Sequence, residues 1–201
     1  VAENERRLPF QNPDRNLPAG PVGKDLPETF DRMRGRPEDV QTYAVMLKDG
    51  DLNDRVKAAE WLGETGDSAG VLPLIDALLD ESTVVQYAAA KSLGLLADHR
   101  AIDPLTPLLR SDNHWLRRAA ARALGLIGAA KTVDLLLPVL SDAHHDVRAS
   151  AAWALGKLGD PRAIGPIRLL VNDPRVDVQR EAAAALELLE QKQPHASQPN
   201  L

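Results

Sequence analysis

The chain has 201 residues and a formal net charge of -5, with 44% apolar residues but only 3% aromatic ones. So few aromatics leave Ala, Leu and Val to build the core, which suits closely packed helices better than a sheet. The acidic balance argues against a general nucleic-acid or anionic-membrane binder, and the lack of cysteine excludes disulfides, thiolate metal sites and cysteine nucleophiles.

Taken in order, residues 1–36 read as an extended arm. Pro9, Pro13, Pro18, Pro21 and Pro27, with Gly20, Gly23 and Gly35 among them, block helices and ladders and favour open chain. Its apolar residues come singly, too sparse for a core; Leu8, Phe10 and Phe30 are the anchors such an arm would lay on a neighbouring surface. The opening V-A-E-N-E-R-R-L-P-F has no apolar stretch of the signal-peptide kind. No run approaches the roughly 20 apolar residues that span a bilayer. No membrane insertion and a cytoplasmic location are therefore expected.

Pro37 opens a short predicted helix, suited to its first turn together with the acids Glu38 and Asp39. Val40, Ala44 and Leu47 fall on one face, and Asp49-Gly50 ends the segment. Two helix types then alternate. The pattern predicts longer, Ala-rich helices over 54–62, 83–96, 113–127, 145–158 and 176–190, and shorter, Leu-rich ones over 69–79, 101–109, 132–140 and 163–171. With the Pro37 helix this makes five pairs across residues 37–191. Residues 192–201 close the chain as a polar, flexible tail.

The pairs keep time. Leu-Gly recurs at Leu62-Gly63, Leu93-Gly94, Leu124-Gly125 and Leu155-Gly156, each 31 residues after the last, and a fifth step lands on Leu186-Glu187. Ala-Ala pairs keep the same beat from Ala58-Ala59 to Ala182-Ala183. A fixed period of this length is the signature of a solenoid. Val85, Ala89 and Leu93, then Leu116, Ala120 and Leu124, then Val147, Ala151 and Leu155 share one stripe at i, i+4, i+8 and form the expected core. The Leu-Gly glycine is expected to supply the positive φ that ends each long helix, and Asp146, Asp160 and Asp173 are expected to cap helices.

The most regular copy, D-V-R-A-S-A-A-W-A-L-G-K-L-G-D-P-R-A-I-G-P-I from Asp146 onward, resembles HEAT repeats, in particular the short phycobilisome-lyase-like group. The resemblance covers roughly residues 36–191 and implies an all-α fold, a right-handed α-solenoid whose D-V-R helices line a concave, protein-binding side. It loosens at the ends, where Glu187 replaces the glycine and Asn53 and Val84 replace the Asp of D-V-R.

With the stripe assigned to the core, residues ten, seven and three places before each glycine fall on the opposite side. There the central repeats place Tyr87 and Lys91, then Trp115, Arg118 and Arg122, then Trp153. Tyr, Trp and Arg are the residues enriched at binding hot spots, and Arg also stacks on aromatic faces; the competing role for each Trp is to cover a gap between helices. Trp61 sits where other repeats have Ser92, Ala123, Ala154 and Ala185, and is expected to fill space beside the first pair or to lie under the arm. The Arg of D-V-R, at Arg55, Arg117 and Arg148 with Gln86 and Gln179 between, is expected to tie repeats together through carboxylates such as Asp146 and Asp177. Adjacent His144 and His145 are expected to diverge and so to make no metal site.

No phosphate-binding glycine loop, nucleophile elbow or H-E-x-x-H is present in the sequence. The reading is therefore a protein-binding scaffold without catalysis or cofactor, a subunit or assembly factor of a larger complex acting through the concave face and the arm. The alternatives are a phycobilin-lyase-like enzyme or chromophore chaperone, as the resemblance implies, and nucleic-acid binding through Lys91, Arg118 and Arg122.

Overall fold

A computed structural model describes residues 37–191. The arm with Leu8, Phe10 and Phe30, and the tail from residue 192, lie outside the described residues. Among the described residues every regular element is helical: α1 Pro37–Asp49, α2 Leu52–Thr65, α3 Val71–Ala77, α4 Thr83–Leu96, α5 Ile102–Leu105, α6 His114–Ile127, α7 Thr132–Leu136, α8 His145–Leu158, α9 Ile164–Leu169 and α10 Val176–Gln191. The long helices α2, α4, α6, α8 and α10 pack each against the next, and the short elements lie against them as a second row. The result is the expected α-solenoid of five helix pairs.

The short row is more broken than the sequence pattern predicts. Each of its later members enters through a 3-10 turn (Ser68–Gly70, His99–Ala101, Pro161–Ala163) or leaves through one (Thr106–Arg110, Leu137–Ser141, Leu170–Asn172). Pro107 and Pro138 sit at the start of two of these exits. A proline has no N–H for the preceding turn, so the chain tightens there instead of continuing as α-helix.

The core stripe is where the periodicity puts it. Val85, Ala89, Leu93, Ala120, Leu124, Val147, Ala151 and Leu155 are fully buried and Leu116 nearly so. In α1 the buried stripe is Val40, Tyr43 and Leu47, with Ala44 only at its margin.

The Leu-Gly glycines do not end helices. Gly63, Gly94, Gly125 and Gly156 all lie buried inside α2, α4, α6 and α8. What they supply is close approach. A Cβ on Gly63 would lie 2.6 Å from Ser92, on Gly94 2.8 Å from Ala123, on Gly125 2.5 Å from Ala154, and on Gly156 2.6 Å from Ala185. Each glycine therefore receives the small residue of the following helix, a groove-and-ridge contact repeated at every seam. The positive φ comes three residues later, at Gly66, Gly128 and Gly159, and at Ala97 in the second copy. Trp61, in the register where later helices carry a small residue, packs its half-buried ring on Tyr43 of α1, centroids 5.0 Å apart. Glu187 stands at the Leu-Gly glycine register on α10, the last of the described helices.

Candidate interaction face

The long helices are locked in register by a clamp in the loops before them. Arg117 grips Asp142 with two parallel hydrogen bonds, 2.7 and 2.9 Å, while its third nitrogen donates to the carbonyls of Ser111 and Asp112. Arg148 repeats this on Asp173 (2.8 and 2.9 Å) and on the carbonyls of Asp142 and Ala143. Arg55 makes the same reach to Asp80 at 3.0 Å, with its fork skewed toward Glu81. The partners are thus Asp80, Asp142 and Asp173, which share one register of the 31-residue period (Ser111 holds the place between the first two), and not Asp146 or Asp177: the reach is to residue i+25, in the loop ahead of the next long helix. Each of these carboxylates also accepts the N–H two residues on, from Ser82, His144 and Arg175. That bond makes the loop's turn. Asp160 and Asp173 do sit at such turns, but Asp146 lies within the first turn of α8, whose N-cap is His144.

Electrostatics follow the geometry. The Arg148 guanidinium holds the Asp173 carboxyl below the ordinary carboxylate range. Burial opposes ionisation of Asp142, but Arg117 and the His144 N–H outweigh it and its pKa is also lowered. On the exposed side of the loops, Arg100 holds Asp98 down at about 2.

Clamp and glycine seams together fix the outward face of the long helices. Trp115 and Arg118 lie one turn apart on α6, with the guanidinium carbon 5.5 Å from the ring centroid. Arg122, a turn further on, reaches across to α8 and lies 4.3 Å from the Trp153 centroid, and Lys157 approaches the same ring at 5.4 Å. Tyr87, Trp115, Arg118 and Trp153 are half-buried, while Lys91 and Arg122 are exposed. Trp153 serves both roles weighed for it: it packs on the core and covers the seam at Gly125, yet offers its ring to two cations. The structure brings Trp115, Arg118, Arg122 and Trp153 into one cluster, with Tyr87 and Lys91 on α4 alongside; the three arm residues lie outside the described residues.

The histidines beside this cluster depart from the expectation that His144 and His145 diverge. His114 stacks on His144 at 3.8 Å, and His144 on His145 at 4.8 Å with the planes only 20° apart, so the adjacent rings are not divergent. His114 also meets the Trp115 ring at 4.7 Å. His145 Nδ1 lies 2.6 Å from Asp177, a hydrogen bond from α8 to α10. Burial lowers the pKa of both His114 and His144. Donor atoms of His144, His145 and Asp146 lie within 4.8 Å of one another, a grouping that a divalent cation could use. The 31-residue step from the position of His114 to that of His145 was the available signal.

Away from this face, α1 and α3 leave a groove of about 590 Å3 lined by Ala44, Val45, Pro73 and Leu79 beside Lys48, Asp49 and Asp76. Among the described residues no helix is long and apolar enough to cross a membrane.

Repeated helix pairs, seams built on glycine and a shared outward face define an α-solenoid of the kind that binds proteins. The chain belongs to the HEAT-repeat family: the family's model matches residues 41–125 and again 108–187. Among solved structures, the complex of CpcE and CpcF of phycocyanin lyase from Nostoc sp. PCC7120 is similar, with 28% identity over 76% of this chain and a TM-score of 0.69. The match takes in 65% of that lyase chain, so this protein spans less than two thirds of it. An engineered protein is similar at 24% identity, over 76% of this chain and 79% of that one, with a TM-score of 0.58. A designed armadillo repeat protein in complex with the peptide (KR)4 is similar at 20% identity, over 78% and 87%, with a TM-score of 0.56. These last two share the fold alone. No curated protein matches the chain.

Proposed function

We propose that this protein is a non-enzymatic interaction module, a subunit or assembly factor of a larger complex, that docks a protein on the outward face of its long helices. The observation that supports this reading is the cluster of Trp115, Arg118, Arg122 and Trp153. Two indole rings and two guanidiniums share one surface on neighbouring long helices, Arg118 beside Trp115 on α6 and Arg122 reaching across to Trp153 on α8. Aromatic and Arg side chains on a rigid support are what dominate binding energy at protein interfaces, and pre-ordering them lowers the entropic cost of docking. The arm, with Leu8, Phe10 and Phe30, would add reach by wrapping a neighbour.

The test is affinity capture from the native host, beside a variant carrying Trp115→Ala and Arg118→Ala. The variant is expected to melt close to the parent and to bind the captured partner at least about tenfold more weakly. Unchanged affinity would move the site off this face. Capture by a version lacking residues 1–36 measures the arm's share separately.

A second reading, a phycobilin-lyase-like enzyme or chromophore chaperone, draws support from the similarity to the lyase complex and from the groove between α1 and α3, whose size falls in the range of small-molecule sites. Mixing the protein with a free bilin and following visible absorbance separates the two: a shifted, stoichiometric spectrum favours the second.

A further inference from the structure

The stripe that contains Arg118, Arg122 and Trp153 of the cluster has a composition unlike the rest of the chain. On each long helix it comprises the residues seven and three places before the Leu-Gly glycine position and the one just after it, at i, i+4 and i+8. From α4 to α10 that gives twelve positions, and none is buried. Five are cationic: Lys91, Arg118, Arg122, Lys157 and Arg180; none is acidic, and the others are Tyr, Trp, Leu or Ala. A chain of net charge -5 thus carries a strip of +5 on its most aromatic surface. Among the described residues no ion pair engages Lys91, Arg118 or Arg122. Apolar contact area is interleaved with the charge, since Leu95 is 53% exposed and Leu188 43%.

The strip is also bounded. On α2 the same stripe carries Glu60 and Glu64, and along the N-terminal edge of the face stand Asp146 and Asp177. A long polyanion following the strip would run into carboxylates at the α2 end and along this edge, whereas a short acidic segment would lie within them.

We infer, resting on the interaction reading above, that the occupant of this face is an extended acidic segment of a partner protein. Its acids meet Lys91, Arg118, Arg122, Lys157 and Arg180 in turn, and its apolar residues fall on Trp153 and the exposed leucines. Packed helices lie about 8–10 Å apart and extended chain advances about 3.3 Å per residue. About three residues therefore carry the segment from one helix to the next, and roughly ten cross from α4 to α10. The segment recognised has an acid at about every third position.

The first measurement uses the full chain and a fluorescein-labelled peptide of repeated Glu-Leu-Gly units, read by fluorescence anisotropy. Binding that weakens with salt, falls at least tenfold in the Arg118→Glu, Arg122→Glu variant, and is absent for the matching Lys-Leu-Gly peptide is the expected result. Tighter binding of a single-stranded oligothymidylate than of the peptide would overturn the inference. A second measurement selects a random peptide library on the parent protein and on a milder Arg118→Gln, Arg122→Gln variant that leaves the fold's seams untouched. Acid-rich peptides enriched only on the parent support the proposal. Peptides that need this face but are neutral or basic overturn the acidic partner and leave the interaction reading standing. No peptide that distinguishes parent from variant overturns both.

Discussion

At Gly125 a methyl group has nowhere to go: its carbon would sit 2.5 Å from the Ala154 Cβ and 3.2 Å from the Trp153 ring. Neither neighbour can yield cheaply, because Ala154 is fully buried and Trp153 is packed on the core. Gly125→Ala is therefore expected to lower stability by about 1–3 kcal/mol, the range for overpacking a tight core. The αL positions follow a different rule. Ala97 holds φ 51, where the other copies have glycine, and pays the left-handed penalty of its Cβ. Ala97→Gly is expected to stabilise by about 0.5–1 kcal/mol, after the glycine's extra unfolded-state entropy is counted. Urea denaturation of the two single variants checks both, and equal small effects would mean that the seams are softer than their contacts imply.

The clamp links one long helix to the loop before the next, and its variation along the chain follows one rule. Arg stands at 55, 117 and 148, where residue i+25 is Asp80, Asp142 or Asp173; Gln86 faces Ser111 there, and Gln179 has no described loop ahead of it. Both glutamines keep only the backward half of the grip, on the carbonyls of Asp80 and Asp173. Installing the missing rung with Gln86→Arg and Ser111→Asp is thus expected to be favourable only as a pair. Ser111→Asp alone leaves a half-buried carboxylate without a cation, a cost of about 1 kcal/mol, and the double variant should show a coupling of about 1–2 kcal/mol in a double-mutant cycle. Additive single effects would reduce the clamp to a turn motif. Helix existence, type and core stripe were legible in the sequence because buried Leu and Val recur with the period that packing imposes. The role of the Leu-Gly glycine was not, since a glycine near a helix end has two physical uses, positive φ and close approach, that local sequence does not separate. The clamp's partners were misread because i+25 and i+29 both land on acids for Arg117 and Arg148, where the loop's turn decides which faces the guanidinium; only Arg55, whose i+29 residue is Val84, carried the signal for i+25. For the interaction face, spacing predicted Trp115, Arg118 and Arg122 on one side of one helix. Arg122 crossing to Trp153 depends on the helix-to-helix distance that the glycine seams set, which the helix's own periodicity does not contain.

Across the array, the titratable groups with lowered pKa values fall at both edges of the repeats: Asp98 and Asp160, held down by Arg100 and Arg162, lie in the turns after long helices, and the others lie where long helices begin. Asp142 and Asp173 sit in the clamps, and His114 and His144 in the ring stack between them. In a solenoid each repeat is stabilised mainly by its neighbours, so groups placed at the seams act on the stability of the array and not of one helix. For each of these groups the folded pKa lies below the unfolded one. Between the two values the unfolded chain binds more protons, and stability falls as pH falls. The histidine share is complete above the ordinary value of 6.5 and is lost as pH drops through the values that burial has lowered. The carboxylate share is complete above 3.8 and is lost below it, as Asp142 and Asp173 protonate and release Arg117 and Arg148. Acidification is therefore expected to lower the urea midpoint in two stages, the first setting in as pH falls below the ordinary histidine value of 6.5 and the second below the ordinary carboxylate value of 3.8. Replacing His114 by Gln and His144 by Asn, which retains a residue suited to the N-cap of α8, is expected to flatten the first stage and leave the second. Urea titrations at a series of pH values on parent and double variant measure this directly. A midpoint that rises on acidification, or a first stage that survives the double replacement, would place the pH-sensitive groups elsewhere in the array.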